Sequence, residues 1–121
     1  RVTWYVDRLI QDAKDTALTL ARYGHRVPLP PRIRVGGGRV RSALHSMLYI
    51  LRTGGHITPY DEVVGQRLAH VVSGGDVPEG TWVSEDYLLD LEREAFLSLL
   101  GEAKTQERIR HMLRTGKPLR N

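Results

Sequence analysis

Three consecutive glycines, Gly36-Gly37-Gly38, stand immediately ahead of Arg39 and Arg41. Backbone N–H groups freed by glycine, with two guanidinium groups beside them at the start of a helix, are the parts of a phosphate cradle. The dinucleotide pattern GxGxxG fails, because Arg41 occupies the last glycine position, and no Gly-Lys-Ser/Thr follows. The residues therefore favour a flexible linker. Glu92 is a second candidate. Helical spacing sets it between Leu88, Ala95, Phe96 and Leu99, inside an apolar arc where an unpaired charge is very costly. The expectation is a structural pair with one of the many arginines. No second carboxylate stands in a defined relation to it, so two-carboxylate acid/base chemistry has no support.

The remaining candidates carry less. His25, His45, His56, His70 and His111 are scattered singly, with no HxH or HxxxH pair to begin a metal site. Ser46 and Ser98 lie in helical stretches without a GxSxG elbow. No catalytic residue and no metal ligand is assigned. The closing basic residues Lys104, Arg108, Arg110, Arg114, Lys117 and Arg120 fit either a solvated face or an anion-binding edge, and charge spacing alone favours the solvated face.

These residues must be held by helices. Val6, Leu9, Ala13, Ala17 and Leu20 form one stripe and Gly24 closes it, which predicts a first helix over residues 3–23. HRVPLPPRIRVGGG then reads as an extended connector, because its prolines lack donors and restrict their predecessors, with a short strand at residues 32–35. Val40, Leu44, Met47, Leu48 and Leu51 predict a second helix from about Arg39 to Arg52. Thr58, Pro59 and Asp61 form an N-terminal signature, so a third helix should run from Pro59 to about Ser73. DVPEGTWV reads as a turn-rich loop leading to Ser84, the N-cap of a fourth helix over residues 85–100 whose apolar arc is wide enough for more than one neighbour. A fifth helix runs from near Lys104 or Thr105 to Thr115. The second and third helices could pass for a helix-turn-helix, but Asp61 and Glu62 would face the phosphates.

The expectation is one all-α domain over residues 1–121, made of a first helix (1–24), a Pro/Gly linker (25–38) and a helical bundle with a basic tail (39–121). Its 121 residues suffice for a modest core. No apolar run approaches the roughly 20 residues that span a bilayer. The absence of cysteine excludes a disulfide framework and fits a cytoplasmic compartment. A net charge of +4, from 18 basic and 14 acidic residues, is too small and too mixed to imply nucleic acid. The start at Arg1, already inside an amphipathic pattern, suggests that an upstream part is missing. Taken alone, the residues leave open a free-standing helical module that binds protein or nucleic acid.

Two segments, "VSEDYLLDLEREAFLSLLGEAKTQERI" and "HMLRTGKPLRN", resemble the extreme C-terminus of bacterial fatty-acid oxidation proteins that join a 3-hydroxyacyl-CoA dehydrogenase to a crotonase-type enoyl-CoA hydratase part. "RLIQDAKDTALTLARYGHRVPLPP" and "ILRTGGHITPYDEVVGQRLAHVVSGGD" look like the preceding part of the same family. The resemblance implies a catalytically silent C-terminal fragment, with the NAD site and the CoA thioester site of the parent supplied by upstream segments and no cofactor of its own. It implies packing on the upstream crotonase and dehydrogenase part, and a homo-oligomer, with no nucleic acid and no membrane span. Crotonases place an aromatic residue and a lysine of the last helix near the adenine of CoA. The matching positions here are Met112 and Thr115, which both depart from that pattern, so a CoA contact would set Met112 at the aromatic's place and leave the basic duty to Arg114 or Lys117.

Overall fold

A computed structural model describes residues 5–121. Five helices form among them: α1 (Leu9–Arg22), α2 (Gly37–Thr53), α3 (Pro59–Val72), α4 (Glu85–Leu100) and α5 (Ala103–Thr115). A short 3₁₀ turn, Val6–Arg8, leads into α1. The expected all-α fold is what the chain adopts, apart from a two-stranded ribbon of β1 (Arg32–Arg34) and β2 (Trp82–Ser84). The start of the expected first helix, at residues 3 and 4, lies outside the described residues.

Local chemistry explains the helix ends. Thr58 Oγ1 accepts from the Asp61 N–H while the Asp61 carboxylate accepts from the Thr58 N–H, both at 3.0 Å, and Pro59 fills the first helical position where no donor is needed. Ser84 caps α4 by accepting from Tyr87 N–H at 3.1 Å. Gly116 ends α5 in the left-handed conformation, φ +67°, and its N–H returns to the Met112 carbonyl.

Two expectations need correction, and both turn on contacts distant in sequence. DVPEGTWV does not remain loop: Trp82–Ser84 pairs antiparallel with β1, setting Ile33 opposite Val83. The glycine triplet is no linker either, because α2 begins at Gly37, two residues ahead of the expected start. Gly37 is buried at φ +59°, its N–H bonds the Ser73 carbonyl at 2.8 Å, and a Cβ there would stand 2.6 Å from the Val77 carbonyl oxygen. Only glycine lets α2 start pressed against the 77–79 loop.

The helices are joined at a closely packed junction. Val35 and Val83 are buried beside the fully buried Ser73, with Val35 N–H donating to the Thr81 carbonyl and Gly80 N–H to the Val35 carbonyl. Tyr87 on α4 donates its hydroxyl to the Gly74 carbonyl at 3.1 Å. From it, α2 packs on α3, α3 on α4 and α4 on α5. At Gly65 the α2–α3 crossing is close enough that a Cβ would meet Leu48 at 2.6 Å. By contrast, every residue of α1 except Asp12 is exposed, including the apolar Leu9, Ile10, Leu18 and Leu20.

The core is small for the chain. Among the described residues, only Val35, Tyr60, Ala69 and Val83 are buried apolar side chains. The accessible surface is 9727 Å². A compact chain of 13.7 kDa is expected to expose ~6,600 Å².

Candidate functional site

Part of that surplus is organised. Val64, Leu68 and Val71 recur at helical spacing along α3, and Leu89, Phe96 and Leu99 do the same along α4. Where the two helices pack side by side, these residues and Ala95 line a groove of about 550 Å³. Leu68 is 60% exposed and Phe96 53%, so the described residues leave the groove open. Charges stand on its rim: Arg67, Arg93, which donates to Asp90 at 3.0 Å, and Glu92. The groove holds no nucleophile and no acid/base pair. Its chemistry is that of a surface which gains by excluding water.

Glu92 departs from expectation here. It is exposed on the rim and forms no ion pair among the described residues. The apolar arc lies where helical spacing sets it, but the described residues supply no wall that would desolvate the carboxylate. Solvent therefore does what a partner arginine was expected to do.

The N-terminal end of α3 is finished differently. Arg108 of α5 donates to Asp61 Oδ1 at 2.8 Å, to Asn121 Oδ1 at 2.8 Å and to the Asn121 carbonyl at 3.3 Å, and stacks over the Tyr60 ring at 5.0 Å. The Tyr60 hydroxyl and Thr105 share a 2.7 Å hydrogen bond. The Asn121 amide donates to Glu107 at 2.9 Å. The Thr58 N–H bond, with the Arg108 guanidinium, holds the Asp61 carboxyl below its usual range against the opposing effect of burial. One arginine thus ties α3, α5 and the end of the tail together. Sequence reasoning grouped Arg108 with a solvated basic face, and no local signal could correct that, since Asp61 and Arg108 lie far apart in the chain.

The other sequence candidates are not brought together. Met112, Arg114 and Lys117 are exposed on and just after α5, where Lys117 N–H donates to Thr115 Oγ1 at 3.2 Å. Arg39 and Arg41 are drawn away from any glycine cradle: Arg39 faces Glu79 at 3.7 Å, and Arg41 donates to Asp76 at 2.6 Å. Asp61 and Glu62 are engaged by Arg108 and Arg52 respectively. Among the described residues, no cluster of three or more His, Asp or Glu side chains could hold a metal ion, and no helix is long and apolar enough to cross a membrane.

The chain is 47% identical over 115 residues to a probable 3-hydroxyacyl-CoA dehydrogenase of Bacillus subtilis (strain 168), an alignment that covers 95% of this chain and 15% of that protein. The chain therefore spans about a seventh of the length of the curated relative it matches. No family model matches it, and no solved structure matches it.

Proposed function

We propose that this chain is the helical C-terminal region of a fatty-acid β-oxidation enzyme, a 3-hydroxyacyl-CoA dehydrogenase that carries a crotonase-type enoyl-CoA hydratase part, working in the cytoplasm. Its own task is packing and subunit assembly. The observation that carries this reading is uncovered apolar surface, organised as the α3–α4 groove, in a chain that aligns with only 15% of a relative's length. Exposed apolar patches of this kind mark surfaces that another protein surface covers. Catalysis, NAD and the CoA thioester belong to the other segments of the parent. Met112, Arg114 and Lys117 form an edge at which CoA phosphates would meet basic charge.

The test is Phe96→Asp in the full-length enzyme, read by size-exclusion chromatography and by NADH formation from a 3-hydroxyacyl-CoA. The expected result is a smaller or unstable assembly with reduced activity, while the 121-residue chain alone forms no NADH. An unchanged assembly in both Phe96→Asp and Leu68→Asp would overturn the packing role, and NADH formed by the chain alone would overturn its catalytic silence.

A further inference from the structure

A second cleft, of about 500 Å³, opens between α2 and α3 and is lined by Arg41, His45, Val63, Gln66, Arg67 and His70. Five of the six carry nitrogen donors, and no carboxylate lines it. Arg41 is already engaged, at 2.6 Å from Asp76 Oδ1 and 2.9 Å from His70 Nδ1. Since arginine can only donate, His70 Nδ1 accepts, and the ring carries its proton on Nε2. His45 Nε2 is buried without a hydrogen-bond partner. Gln66 and Arg67 are exposed, and neither side chain is bonded among the described residues.

Among the described residues Asp76 offsets Arg41, which leaves Arg67 as the uncompensated cation of the cleft beside three unspent donors, His70 Nε2, the Gln66 amide and a ring nitrogen of His45. A buried polar nitrogen left unpaired is costly, and donors gathered around a spare cation suit a compact anion rather than a neutral or cationic group. We propose that this cleft binds an oxyanion, a phosphoryl or carboxylate group, with Arg67 as counter-charge and His45, Gln66 and His70 as hydrogen-bond donors. The site is separate from the glycine triplet: the Gly37 N–H is taken by Ser73 and Arg39 by Glu79, so no backbone cradle contributes.

The experiment follows dicarbonyl modification of Arg67 in the full-length polypeptide that carries this sequence, read peptide by peptide by mass spectrometry. Inorganic phosphate is the probe, with ionic strength held constant by chloride. Phosphate at about ten times its dissociation constant should slow Arg67 modification roughly tenfold by mass action, with the exposed Arg26, which has no part in either proposed site, as reference. Gln66→Ala, at an exposed position, should weaken the apparent phosphate affinity about tenfold, the worth of one hydrogen bond to a charged group. Acetate in place of phosphate separates the sources: protection by both assigns any oxyanion, and protection by phosphate alone assigns a phosphoryl group. If neither anion slows Arg67 more than Arg26, or if Gln66→Ala leaves the protection curve unmoved, the site does not exist.

Discussion

The two ends of α3 are completed by different means. At Thr58–Glu62 the polar side chains find their partners inside the chain, through the capping box, Thr105, Arg108 and Arg52. Along Val64–Val71 the helix shows an apolar face that α4 flanks but does not cover. A polar clamp is self-sufficient, because an unpaired buried donor or acceptor carries a penalty that local partners can remove. An apolar groove gains nothing until a second surface expels its water. The difference separates what this chain does for its own fold from what it offers to another surface.

The largest effect is expected where both halves share a foundation. Gly74 sits at φ +88°, and a Cβ there would lie 2.5 Å from Val35 Cγ2. Gly74→Ala should cost about 2–4 kcal/mol in urea denaturation and loosen clamp and groove alike. A loss below about 1 kcal/mol would mean that the junction is not what supports α3.

Arg108→Ala breaks the clamp alone. It leaves Asp61 and Asn121 without their cation and should destabilise the chain by about 2–3 kcal/mol, with faster amide exchange in the tail. The clamp also predicts acid sensitivity. Asp61 has a folded value depressed below 3.8, so its contribution is present in full above that value and is lost as the pH falls through the lower, folded one. Urea midpoints measured from about pH 6 down to about pH 2 should show this loss, and Asp61→Asn should remove it.

Phe96→Asp probes the groove and sharpens the contrast. Because Phe96 is already half exposed, the stability of the chain itself should shift by no more than about 0.5 kcal/mol. The larger consequence should fall on assembly of the full-length enzyme. The smallest functional effect on the full-length enzyme is expected at the basic edge. Lys117→Ala, in the full-length enzyme, should weaken acyl-CoA binding by about 0.5–1 kcal/mol, and an unchanged apparent affinity would leave the tail as packing only.

Much of this was legible because it is written locally. Thr58-Pro59 with Asp61 specifies a helix start within four residues, and Ser84 and Gly116 mark ends by the same short-range logic. What was hidden depends on partners distant in the chain. Gly37 reads as linker until the 77–79 loop is seen against it, and Trp82–Ser84 reads as loop until Arg32–Arg34 supplies its ladder. Arg108 belongs to an ordinary basic helix face until Asp61 and Asn121 converge on it. Glu92 shows a different limit: its place on the apolar arc follows from helical spacing, whereas its environment depends on a covering surface that the described residues do not provide.

The absence of cysteine from the chain makes coverage of the groove directly measurable. Phe96→Cys can be labelled with a maleimide in the isolated chain and in the full-length enzyme, each rate referred to that of the same protein in denaturant. Packing against the rest of the enzyme predicts native labelling close to the denatured rate in the isolated chain and strongly slowed labelling in the full-length enzyme. Equal relative rates in the two would show that the groove faces solvent in both, and would contradict the proposal that this region exists to be covered.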